Sequence, residues 1–142
     1  MNRIKAMKRR NILIGLLLLT GIVSGCGGQI MDGDGMIKEC TYAQISQEEA
    51  REIMENEDGY LIVDVRRQDE YDAGHILGAI LIPNEEILTE RPPQLPDLDQ
   101  VLLVYCRSGR RSKEAAQKLA DMGYTHVYEF GGIIDWTGET VK

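Results

Sequence analysis

Blocks of apolar residues separated by polar, glycine-marked stretches run along most of this 142-residue chain. Residues 60–65 (YLIVDV) and 101–106 (VLLVYC) are near-continuous apolar runs, the pattern of strands buried on both faces. AILIP (79–83) and HVYEF (126–130) predict two more strands, the first closed by proline. Ser46 followed three residues later by Glu49 forms a capping box, which opens a helix through about Asn56. Residues 84–90 predict a second helix, ended before Pro92-Pro93. SKEAAQKLADMG (112–123) predicts a third, with Ser112 as N-cap and Gly123 at the C-terminal end. GGIIDW (131–136) turns into a last short helix. Strands alternating with helices predict an α/β domain with a mainly parallel sheet.

The first 25 residues follow a different pattern. Arg3, Lys5, Lys8, Arg9 and Arg10 make a basic start without an acid, Ile12 to Val23 are largely apolar, and Ser24-Gly25 precede Cys26. Charged, apolar and small segments in that order form a signal-peptide layout. A membrane-spanning helix needs roughly 20 apolar residues, and glycines interrupt this run too early. VSGC, directly after the apolar run, resembles a bacterial lipobox, and the resemblance implies cleavage before Cys26 and lipid on its sulfur. The expected organisation is a signal peptide at 1–25, a lipidated cysteine and flexible tether at 26–40, and one folded domain at 41–142. The protein is then exported and held by lipid on the outer face of a bacterial cell membrane. DGDG in the tether lacks the remaining acidic ligands of a calcium loop.

Charge narrows the partners. The whole chain carries −7; without residues 1–25, which hold five basic residues, 11 basic residues face 23 acidic ones, a net −12. So acidic a body excludes nucleic acid as partner, because phosphates need a basic face. The remaining cysteines, Cys40 and Cys106, form no disulfide framework, and no CxxC or cysteine–histidine spacing supports a metal site. No cofactor is expected, and the chain reads as a monomer.

Against this acidity, three of the seven arginines beyond residue 25 crowd into YCRSGRRS (105–112). The stretch lies between a buried strand and a helix, at the sheet edge where open α/β folds bind ligands. Successive N–H groups and the positive helix end make a cradle for an anion. In such a cradle Cys106 is favoured as thiolate, with Arg107, Arg110 and Arg111 acting in the same direction and Gly109 permitting the turn. The local chemistry is an activated thiolate in an anion pocket. Phosphatases resembling the cysteine-dependent tyrosine class place five residues between cysteine and arginine. Here Arg111 follows after four, Ser112 stands where their arginine would be, and Tyr105 replaces their histidine.

CRSGRR is similar to the active-site loop of the rhodanese family: cysteine, arginine, any residue, glycine, any residue, arginine. DVRRQDEYDAGHILGAILIP (64–83) resembles that family's upstream signature through Asp64, Arg66, Glu70, Gly74, His75, Ile76, Gly78, Ala79 and Pro83. GGIIDW resembles its C-terminal signature, so the likeness spans about Thr41 to Trp136. The resemblance implies a three-layer fold around a sheet of about five strands. It also implies sulfur transfer: Cys106 takes sulfane sulfur from a small anionic donor such as thiosulfate, holds it as a persulfide, and yields it to a thiol or cyanide. The loop Arg107, Ser108, Gly109, Arg110 and Arg111 then binds the persulfide and the donor. Alternatives are a non-enzymatic binding module on the same scaffold and a phosphatase or arsenate-reductase chemistry. His75 is expected to order a turn, Asp64 and Arg66 to form a structural ion pair with Glu70, and Trp136 to join the core. His126 is expected at the surface. Cys40 reads as a bystander, its pairing with Cys106 left open.

Overall fold

A computed structural model describes residues 29–31, 37–39 and 41–142. The expected signal peptide, Cys26 and Cys40 lie outside the described residues.

Five parallel strands form the central sheet, in the order β3 (Ala43–Gln44), β8 (His126–Gly132), β7 (Val101–Cys106), β4 (Tyr60–Asp64) and β6 (Ala79–Leu81). The near-continuous apolar runs occupy β4 and β7, which lie inside the sheet with a helical layer on each side. Successive side chains of β7 point to opposite faces. Leu102, Val104 and Cys106 join one core cluster with Ala115, Ala116 and Leu119 of α3 (Arg110–Asp121). Leu103 and Tyr105 join the other, with Ala50 of α1 (Gln47–Asn56). The sheet is therefore covered on both faces, as its composition requires.

Ser46 caps α1 as expected: its hydroxyl accepts from the Glu49 N–H at 3.1 Å, and the Glu49 carboxylate accepts from the Ser46 N–H at 2.7 Å. Between β4 and β6 lie α2 (Gln68–Ala73) and β5 (His75–Ile76), and β5 pairs antiparallel with β9 (Thr140–Val141). His75 stacks on Tyr71 with ring centroids 3.7 Å apart, holding the turn that leaves α2. His126 is exposed.

Two expectations are corrected. Residues 84–90 form no helix beyond a single 3-10 turn at Asn84–Glu86. Ile87 is fully buried beside a largely exposed Leu88, and Lys118 Nζ holds Asn84 through its carbonyl and side chain at 3.0 and 3.1 Å. The last short helix is likewise a 3-10 turn, Ile133–Asp135. Trp136 follows it, half-buried against Phe130 and covered by the Arg51 guanidinium. Ahead of the domain, β1 (Gln29–Met31) pairs antiparallel with β2 (Ile37–Glu39), and among the described residues the pair joins neither other sheet.

Candidate active site

Cys106 ends β7 at the C-terminal edge of the sheet, 1% exposed and a free thiol. The pairing of β7 with β8 shifts register between Val104 and Cys106, releasing the chain from the ladder where the loop begins. The backbone then turns through Gly109, at φ +101° in the left-handed region that favours glycine, straight into α3. This turn starts the helix at Arg110, two residues before the expected cap. Ser112 is therefore not the N-cap; it lies in the first turn, fully buried, facing inward.

The loop aims its donors at sulfur. The Gly109 N–H donates to Cys106 Sγ at 3.1 Å. Burial pushes the Cys106 thiol up. The Ser112 hydroxyl and the N–H groups of Ser112, Gly109 and Ser108 outweigh burial and leave the thiol below its ordinary value.

The arginines divide by exposure. Arg107 and Arg110 are exposed, whereas the Arg111 side chain is 17% exposed and grips the Glu70 carboxylate with both terminal nitrogens, at 2.7 and 2.8 Å. This is the correction to the expected Asp64–Arg66–Glu70 grouping: Asp64 and Arg66 pair at 2.7 Å, and Glu70 serves Arg111 instead. The Arg111 hydrogen bonds pull Glu70 down to about 2, against the upward push of burial, with further help from the Arg67 N–H. A cleft of about 380 Å³ opens here, lined by Arg67, Glu70, Glu85, Arg107, Arg110 and Arg111. Four guanidiniums against two carboxylates leave it positive inside an acidic protein, so it draws in small anions.

Sequence reasoning missed two neighbours of the loop. Glu129 on β8 is buried and accepts the Ser112 hydroxyl at 2.6 Å. Gly132 lies so close that a Cβ there would run into the Arg107 carbonyl. The glycine pair of GGIIDW was the available signal for a close approach; nothing in the sequence pointed to Glu129, which stands in a strand beside apolar residues. Among the described residues, no group of three or more His, Cys, Asp or Glu side chains could hold a metal.

Comparison with known proteins accords with this geometry. Residues 46–139 match the family model described as Rhodanese-like domain. The thiosulfate sulfurtransferase PspE of Escherichia coli (strain K12) is 40% identical over 80 residues, 56% of this chain and 77% of that protein. The thiosulfate sulfurtransferase GlpE of Coxiella burnetii (strain RSA 493) is 35% identical over 96 residues, 67% of this chain and 87% of that protein. Among solved structures, a rhodanese with anions from E. coli aligns with a TM-score of 0.54 at 40% identity, covering 58% of this chain and 98% of that one. A match over most of the folded residues, carried by a buried thiol in a loop of inward-facing N–H groups, means that the chain belongs to the rhodanese family.

Proposed function

We infer that the protein is a membrane-tethered sulfurtransferase that carries sulfane sulfur on Cys106. Sulfurtransfer of the rhodanese type is the activity its named relatives support. The observation that carries the mechanism is the convergence of loop N–H groups on one buried, free sulfur. The Cys106 thiolate attacks the outer sulfur of thiosulfate; a new S–S bond forms, the donor's S–S bond breaks, and sulfite leaves with its electron pair. Loop N–H groups between Arg107 and Arg111 stabilise the terminal sulfur of the persulfide. An acceptor thiolate, or cyanide, then attacks that sulfur and returns Cys106 as thiolate. Arg107 and Arg110 gather the anionic donor in the cleft, while Arg111, held by Glu70, gives the loop its shape. A loop with four residues between Cys106 and Arg111 fits a sulfur atom better than a tetrahedral phosphoryl group.

Mass spectrometry of the protein treated with thiosulfate tests the chemistry: one sulfur atom gained on Cys106 and lost again to cyanide is the expected result. Ready cleavage of an aryl phosphate without persulfide overturns it.

The tether rests on the basic, apolar and small segments before Cys26. No helix among the described residues is long and apolar enough to cross a membrane. Lipid on Cys26 would hold the domain at the outer face of the cell membrane, each buried methylene contributing about 0.8 kcal/mol. Cys26→Ser is expected to release the protein from membranes or leave it unprocessed. Full-length, unmodified protein in the cytosol overturns this reading.

A further inference from the structure

The Cys106 loop is a ridge between two depressions. On the β4 side lies the basic cleft of about 380 Å³ described above. On the β8 side a second groove of about 410 Å³ opens between the loop, the end of β8 and the segment that leads from β3 into α1. Ser108 lines both, so the two are separated by the width of the loop. The groove is built rather than incidental. Gln47 Nε2 donates to the Gly132 carbonyl at 2.9 Å, which fastens the start of α1 to the end of β8. Gly132 in turn approaches the Arg107 carbonyl so closely that no Cβ fits between them.

The two depressions differ in chemistry. Guanidiniums dominate the cleft, whereas the groove holds one cation, Lys113, beside the carboxylates of Asp135 and Glu129. A small dianion is drawn to the guanidiniums and gains nothing in the groove. The rest of the groove's polar lining is uncharged: the side-chain amides of Gln44 and Gln47, the Ser46 and Ser108 hydroxyls, and backbone. Amides and hydroxyls match a peptide backbone, which offers both donors and acceptors. Lys113 and Asp135 are exposed, and none of the ion pairs among the described residues includes either. They are therefore open to charged side chains of an incoming chain. The volume lies within the range of roughly 300–1,000 Å³ that holds a drug-sized ligand, room for a few residues.

We propose that this groove receives the sulfur acceptor, a cysteine-bearing peptide segment of another protein, and that Lys113 and Asp135 select the charges flanking its thiol. Donor and acceptor must share one reacting point. Sulfite leaves the outer sulfur on the side away from Cys106 Sγ, and the acceptor sulfur enters along the same line. What differs is where the rest of each molecule lies: the donor over the arginines, the acceptor along the groove. The acceptor thiol first gives its proton to solvent. Its thiolate then forms a bond to the outer sulfur of the persulfide, the bond from that sulfur to Cys106 breaks, and the electron pair returns to Cys106 Sγ. The acceptor departs as a persulfide, and the enzyme is back as thiolate.

Acceptor docking rests on the sulfurtransfer reading above, and one experiment separates the two. The full chain is turned over with thiosulfate and either cyanide or short synthetic peptides, whose cysteine is flanked by glutamates, lysines or glycines. For each variant, kcat/KM for a peptide is divided by kcat/KM for cyanide on the same sample, which corrects for any loss of active protein. Lys113→Glu is expected to lower this ratio about threefold to fivefold for the glutamate peptide, the size of an exposed charge pair, and to raise it for the lysine peptide. Asp135→Lys is expected to do the reverse, and the glycine peptide to respond least. Ratios indifferent to both substitutions overturn the groove. Ratios that follow Arg110→Glu instead also overturn it, and place the acceptor in the basic cleft. Transfer to cyanide by a protein with such ratios leaves sulfurtransfer standing and removes only the acceptor site, whereas a wild type that forms no persulfide overturns both.

Discussion

Two neighbouring strands, β4 and β7, each end in a buried polar group, and the two ends are built to opposite purposes. At the end of β4 Asp64 is saturated: it accepts from the Arg66 N–H at 2.9 Å, from Arg66 Nε and NH2, and from the Tyr105 hydroxyl at 2.6 Å. Tyr105 in turn accepts the Ile76 N–H at 3.1 Å, so the network closes on itself. At the end of β7 the Gly109 N–H donates to Cys106 Sγ at 3.1 Å, and Ser112, in the helix turn that follows the loop, faces three acceptors with a single hydroxyl proton. A closed network fixes a shape; a network with a proton to spare or to lose can do chemistry. The Tyr105 hydroxyl shows the closed character, since burial first and the Asp64 carboxylate second drive it far above the ordinary phenol range.

The largest break in this contrast is Cys106→Ala. It is expected to abolish persulfide formation entirely while costing on the order of 1 kcal/mol, because the thiol is part of the core and its loss leaves a small void. Thiosulfate labelling and urea unfolding, measured on the same sample, check both halves. The reverse break is Asp64→Ala, which leaves Arg66 buried without its partner. Stability is expected to fall by about 3–5 kcal/mol, with Cys106 still labelled in the fraction that remains folded. Gly132→Ala attacks the join between the halves by pushing a methyl group into the Arg107 carbonyl. A loss of about 1–3 kcal/mol is expected, together with slower persulfide formation; an unchanged rate would show that the loop does not lean on β8.

Smaller effects sharpen the picture at the cleft. Arg111→Ala is expected to slow donor use about tenfold, roughly 1.4 kcal/mol in the barrier, whereas the exposed Arg91→Ala leaves the rate unchanged. The smallest effect is in acid. Glu70 is held at about 2 in the folded protein against 4.5 for the free group, so its pair with Arg111 stabilises the fold above about pH 4.5. That contribution, below about 1 kcal/mol near the surface, is lost as pH falls towards 2. In Glu70→Gln the acid limb of the melting curve is expected to flatten by that amount.

Much of the frame was legible because apolar runs and caps are local. VLLVYC is β7 to the residue, and Ser46 with Glu49 opens α1 where the pattern placed it. Cys106 and its loop were legible for the same reason, since eight consecutive residues carry the cradle. What escaped was set by contacts distant in sequence or by backbone angles. Residues 84–90 look helical, but Ile87 enters the core while Lys118 pins Asn84, and a 3-10 turn satisfies both. Ser112 carries the signature of a cap, yet the left-handed Gly109 begins the helix earlier and turns that hydroxyl inward. Glu129 is separated from Ser112 by 17 positions, with most of α3 and the return to the sheet between them. Glu70 is 41 positions from Arg111.

The strand order β3-β8-β7-β4-β6 has a kinetic side. β3, near residue 43, has β8, near residue 128, as its sheet partner, so that edge can close only after almost the whole domain has been synthesised. Pairings over such separations are slow to form. Glu129 and Gly132, on that last central strand, are also the groups that back the cysteine loop. An incomplete chain therefore exposes Cys106 without its finished surroundings, and the reactive thiol matures at the end of folding.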